Sequence, residues 1–84
     1  MTRWDPEKNK RLKRGRGVSF EELMAAEVLC ARGHPGRDNQ EILLVLFNGY
    51  VWAVPFVDDG GEMFLKTAYP SRKYMKRYLK GELL

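Results

Sequence analysis

Asn48-Gly49 stands between two strand-like runs, residues 41–47 and 50–57, and restricts this chain more tightly than any other pair in it. Both central positions of a type I′ turn need positive φ, which Asn tolerates and Gly adopts freely, so the two runs are predicted to fold back on each other as a hairpin. A second turn signal, Asp58-Asp59-Gly60-Gly61, precedes a third run at residues 62–68, which extends the hairpin to an antiparallel meander. In the middle run Tyr50, Trp52, Val54 and Phe56 share one face and Val51, Ala53, Pro55 and Val57 the other. Helices are expected to cover one face of such a sheet. Pro55 has no N–H to give to a ladder, so a bulge or an interrupted pairing is expected there.

The segments flanking the meander read as helices. Asp5-Pro6 is a helix start, with Asp at the N-cap and Pro at the first helical position, and residues 7–14 follow before Gly15-Arg16-Gly17 ends the helix. Leu12 is nearly the only apolar residue in it, which puts this helix on the surface. Ser19 and Glu22 form a capping box, and Val18 with Leu23 a hydrophobic staple, at the start of a second helix. Phe20, Leu23, Met24 and Val28 recur at helical spacing and are expected in the core. Residues 29–39 carry glycines, a proline and polar groups and read as a loop, with a short strand possible at 29–32. Pro70-Ser71 then opens a third helix whose Arg72, Lys73, Lys76, Arg77 and Lys80 lie on one side, with Tyr74, Met75, Tyr78 and Leu79 on the other. Thr2 to Trp4 is expected to be a short extended segment. The fold class expected is α+β: two N-terminal helices, a three- to four-stranded antiparallel sheet and a C-terminal basic helix, all in one domain spanning residues 1–84.

An 84-residue chain can bury only about 60–65% of its unfolded surface, which suits a single core. Cys30 is the one cysteine and cannot form an internal disulfide, so packing must hold the fold, and a reducing cytoplasm is the expected setting. No apolar run is long enough to span a bilayer, and the basic N-terminus lacks the apolar centre of a signal peptide, so no membrane partner is expected. Cys30 has no second cysteine, and His34 lies on a Gly33-His34-Pro35-Gly36 turn, so neither a metal nor another cofactor is expected. A glycine-rich phosphate loop, an H-E-x-x-H helix and a serine nucleophile elbow are all missing from the sequence.

Charge is segregated along the chain. Residues 1–17 carry seven cations and two anions, residues 18–65 two and eight, and residues 66–84 six and one. Basic ends therefore flank an acidic middle. If the ends converge over one side of the strands, they form a single positive patch suited to a phosphate polymer, with Arg72 at its middle.

Three motifs, Trp4-Asp5-Pro6-Glu7-Lys8-Asn9, Gly17-Val18-Ser19-Phe20-Glu21-Glu22 and Pro70-Ser71-Arg72-Lys73, occur in an order that resembles the BrnT group of toxins from bacterial type II toxin–antitoxin pairs. The similarity covers most of the chain. It implies a RelE-like fold, ribonuclease activity that arrests translation, and a cognate antitoxin with a ribbon-helix-helix domain.

RNA cleavage by 2′-hydroxyl attack needs a proton acceptor, a proton donor for the leaving 5′-oxygen, and cations for the charge on phosphorus. RelE-like sites are built mainly from Arg, Lys and Tyr. Arg72, matched to the family motif, is the candidate for phosphate stabilisation through its guanidinium fork, with Lys73 beside it. His34 is the candidate for proton transfer, and Tyr78 a candidate acid or stacking group that helical spacing also places in the core. Lys66, Lys76, Arg77, Lys80, Arg14 and Arg16 are the candidate RNA-binding cations. Trp4, Trp52, Tyr50 and Tyr69 could stack on bases or fill the core. The competing readings are a catalytically silent RNA-binding or protein-interaction module that uses the same basic surface, and a domain whose basic faces are merely solvated.

Overall fold

A computed structural model describes residues 2–83 of the chain. In chain order the described elements are β1 (Thr2–Trp4), α1 (Pro6–Arg16), α2 (Phe20–Met24), β2 (Glu27–Gly33), β3 (Glu41–Phe47), β4 (Tyr50–Asp59), β5 (Glu62–Leu65), β6 (Tyr69–Pro70) and α3 (Arg72–Leu79). The strands form one sheet in the order β1-β5-β4-β3-β2, with β6 also pairing with β4. Asn48 and Gly49 take φ of 52° and 76°, and Phe47 lies opposite Tyr50 as a two-residue hairpin requires.

The sheet is larger than the three- to four-stranded antiparallel one expected. It has six strands among the described residues and is mixed, because β1 pairs with β5 in parallel. The short strand considered at 29–32 is part of a seven-residue edge strand, β2, which starts two residues earlier at Glu27 and is kinked by a register shift between Val28 and Cys30. Val28 therefore belongs to a strand and is 50% exposed, not a core residue of α2, which ends at Met24. The helix α1 runs through Gly15 to Arg16, and Gly17, at φ 74°, caps it with its N–H on the Lys13 carbonyl. One helical glycine costs about 1 kcal/mol against alanine, too little to stop a helix whose better C-terminal signal lies two residues on.

Pro55 interrupts the pairing as anticipated. It sits opposite Ile42 in an unbroken β3 ladder, at a position that alternates with the hydrogen-bonded pairs, so its ring nitrogen faces the other neighbour. On that side β5 pairs with Phe56 to Asp59 and β6 with Trp52 and Ala53, leaving Pro55 between them. The run expected at 62–68 is a strand only to Leu65, with β6 following beyond it at Tyr69–Pro70, and Lys66 N–H donates to the Pro55 carbonyl at 2.8 Å across the gap.

Helices cover both faces, not one. On the first face α1 and α2 bring Leu12, Val18, Phe20 and Leu23 onto Val45, Val54 and Phe56, with the Trp4 and Phe20 ring centroids 5.7 Å apart. On the second, α3 lays Tyr74 over Leu44, Val51 and Ala53, with Leu83 against the same cluster. Each large side chain withdrawn in these two layers contributes on the order of 1.5–3 kcal/mol. Helices α1 and α3, which carry most cations of the two basic ends, accordingly lie on opposite faces of the sheet, so the ends do not merge into one patch with Arg72 at its middle.

Candidate nucleic-acid interface

The gap at Pro55 makes a notch in the sheet edge. The connector Lys66-Thr67-Ala68 crosses it, and the β2–β3 loop reaches the same end because Glu41 and Ile42, which follow the loop, pair with Phe56 and Pro55. That loop is held compact by backbone bonds: His34 N–H to the Gln40 carbonyl at 3.1 Å, and Gln40 N–H to the Arg37 carbonyl at 3.3 Å. The result is a cleft of about 300 Å³ lined by Lys8, His34, Arg37, Lys66 and Tyr69. Beside it lies a second hollow of about 370 Å³, walled by Lys8, Arg11, Gly15, Arg16 and Thr67. The two share Lys8 and Thr67, and no carboxylate among the described residues lines either.

Helix α1 is oriented by its other side. Asn9 Nδ2 donates to Glu21 Oε1 at 2.6 Å, and Asn9 Oδ1 accepts the Phe20 N–H at 2.8 Å. Lys13 Nζ reaches Glu22 Oε1 at 2.7 Å and the Gly17 carbonyl at 3.3 Å. These contacts hold the Glu21 and Glu22 carboxyls below the usual glutamate range, the first mainly through Asn9 and the second mainly through Lys13. With Asn9 and Lys13 turned to α2, Lys8, Arg11 and Gly15, spaced by three and four residues, are left to face the hollow, and Arg16 lines it at the end of the helix.

His34 Nδ1 accepts the Gly36 N–H at 3.0 Å. The ring proton of the neutral imidazole then sits on Nε2, so that nitrogen is a donor and not a base. Lys66 Nζ stands 5.4 Å from the Phe64 ring centroid, within cation–π range.

The candidates named from sequence do not form one constellation. His34 and Lys66 share the cleft, and Arg16 lines the adjoining hollow, whereas Arg14 is exposed on α1 outside both. Arg72, Lys73, Lys76, Arg77 and Lys80 belong to α3 or its C-cap on the other face. Lys73 and Arg77 flank the Tyr74 ring, at 5.4 and 5.9 Å from its centroid. Tyr78 lines a separate, smaller hollow with Val28, Leu29 and Leu83. Leu79, expected on the covered side of α3, is 71% exposed. Sequence reasoning overlooked Lys8, Arg11 and Arg37; a helical wheel of α1 groups Lys8 with Arg11, three residues apart, but not Arg11 with Arg16, five apart.

No protein-family model and no curated protein matches the chain. Among solved structures, the crystal structure of the Brucella abortus ribonuclease toxin BrnT aligns with a TM-score of 0.55 and 20% identity, over 84% of this chain and 97% of that one. The chain has a BrnT-like fold. The three motifs that carry the sequence resemblance to the BrnT group are helix starts here: Asp5, Ser19 and Ser71 are the N-caps of α1, α2 and α3, each accepting a backbone N–H of the first turn. The motifs therefore encode where the BrnT-like helices begin. No helix among the described residues is long and apolar enough to cross a membrane.

Proposed function

We propose that this BrnT-like chain is the toxin of a bacterial type II toxin–antitoxin pair: a cytoplasmic, metal-independent endoribonuclease that cleaves RNA, arrests translation and is neutralised by a ribbon-helix-helix antitoxin. The observation that carries the reading is the carboxylate-free cleft at the Pro55 notch, where Lys8, Arg37 and Lys66 meet Tyr69 and His34 on a fold shared with a ribonuclease toxin.

In this reading a phosphodiester enters the cleft and the three cations hold the charge that builds on phosphorus as the 2′-hydroxyl attacks. The His34 Nε2–H adds a neutral donor to a phosphate oxygen, and the Tyr69 ring offers a surface on which a base can stack. Arg72 and Lys73, at the start of α3, line neither the cleft nor the hollow beside it and are not part of this grip. A proton must also leave the 2′-hydroxyl. The His34 tautomer does not provide for that, and this favours a second reading, a catalytically silent module that grips RNA or a partner protein through the same cations.

Inducible expression separates the two. Growth arrest with cleaved RNA, abolished by Lys66→Ala and relieved by co-expression of an adjacent ribbon-helix-helix frame, supports the toxin. RNA binding with intact RNA, or arrest without cleavage, supports the module.

A further inference from the structure

Twelve of the fifteen Lys and Arg residues have no carboxylate partner among the described residues, and five of the twelve line the cleft or the hollow beside it. Among the described residues the ion pairs are Arg3 with Glu62, Lys10 with Glu7 and Lys13 with Glu22. None of these cations lines the cleft or the hollow beside it. The five that do, Lys8, Arg11, Arg16, Arg37 and Lys66, have no carboxylate partner among the described residues. Since the two depressions share Lys8 and Thr67, they make one continuous groove. It runs from Arg16 down α1 to Lys8, a rise of about 12 Å at 1.5 Å per residue, then across the notch to Arg37.

We infer that this groove is the track of a single nucleic-acid strand, which crosses the α1 stripe Arg16-Arg11-Lys8 before its backbone reaches the notch. The inference deepens the ribonuclease reading and rests on it for the identity of the polymer. A row of unpaired cations follows the phosphates of one strand, and Tyr69 gives an unstacked base a ring to lie on, which a duplex has no free base to use. Gly15 widens the stripe between Arg11 and Arg16, because a side chain there would occupy the hollow. On this view the α1 face selects single-stranded over double-stranded RNA, and α3 is not needed to hold the strand.

The test is fluorescence anisotropy with a labelled 12-mer 2′-O-methyl oligoribonucleotide of mixed sequence, which has no 2′-hydroxyl and cannot be cleaved by that route. Five phosphate contacts on a single strand predict a slope of log K against log salt of about −3.5, at roughly −0.7 per contact. The Arg11→Ala/Arg16→Ala protein should bind with a slope near −2.1 and, at 50 mM salt, roughly 50-fold more weakly. Lys10→Ala removes one cation from the same helix but outside the groove, and should leave both quantities unchanged. Urea unfolding of each variant shows whether its fold is intact, and Arg11→Lys/Arg16→Lys, which keeps the charges, should restore the slope. The inference is overturned if the double alanine protein keeps the wild-type slope, if Lys10→Ala lowers it equally, if the matching duplex binds as tightly, or if no salt-dependent binding occurs. Failure of the nuclease reading looks different: the slopes are as predicted and natural RNA is left whole. Cleavage with an unaltered slope in the double variant would instead remove only the track along α1.

Discussion

The Lys13 ammonium lies 2.7 Å from Glu22 Oε1, the same oxygen that accepts the Ser19 backbone N–H at 2.9 Å. One carboxylate thus closes the cap of α2 and ties α2 to α1, and the neighbouring Glu21 repeats the tie through Asn9. The orientation of α1, and with it the basic stripe, depends on these two glutamates.

Both carboxyls are held below the ordinary range of about 4.3 in the folded protein. Their contribution to stability is therefore fully present above that ordinary value and is lost as pH falls through the lowered folded values. Urea midpoints should fall between pH 5 and pH 3, and by less in Glu21→Gln/Glu22→Gln. An equally steep fall in the double variant would assign the acid sensitivity elsewhere.

Ser71 is buried, and its Oγ accepts the Tyr74 N–H at 3.2 Å at the start of α3. Ser71→Ala should cost about 1 kcal/mol of unfolding free energy, read by urea denaturation. A neutral effect would mean that water or the backbone satisfies the first turn without it.

At the β3–β4 turn Gly49 takes φ 76°, a conformation costing about 1–2 kcal/mol for a residue with a Cβ. Gly49→Ala should destabilise by about that amount although no atom stands within 4 Å of the new methyl. Gly15→Ala, equally free of contacts but helical, should instead stabilise by about 0.5–1 kcal/mol. The opposite signs, measured side by side by thermal or urea unfolding, separate backbone conformation from space.

If His34 serves as a neutral donor through Nε2, an amide can replace it. RNA binding or cleavage should survive His34→Gln within about twofold and fall about 5- to 10-fold in His34→Ala, the worth of one hydrogen bond. Equal loss in both variants, with a changed pH profile of cleavage, would show that the imidazole transfers a proton.

What could be read from the sequence was local. The caps at Asp5, Ser19 and Ser71 and the turn at Asn48-Gly49 are each specified by residues within a few positions, and all four stand where they were expected. The strand β2 was only partly anticipated, because an edge strand with exposed Glu27 and Val28 and a register shift shows no clean alternation. The parallel pairing of β1 with β5 was invisible, since Thr2 meets Met63 only through the completed sheet. At the site, His34 and Lys66 were legible by residue type. The distribution of the basic ends over two faces was not, because it depends on which side of β4 each helix packs.

The pairing of Thr2, Arg3 and Trp4 with Met63, Phe64 and Leu65 also fixes the order of events during synthesis. Lys8 leaves the ribosome early, but Lys66 and Thr67 follow almost sixty residues later, and contacts of such long sequence separation form late. The positive channel between them is assembled only once β5 and the connector after it are in place. A nascent copy is accordingly without this groove until residue 67 has left the ribosome.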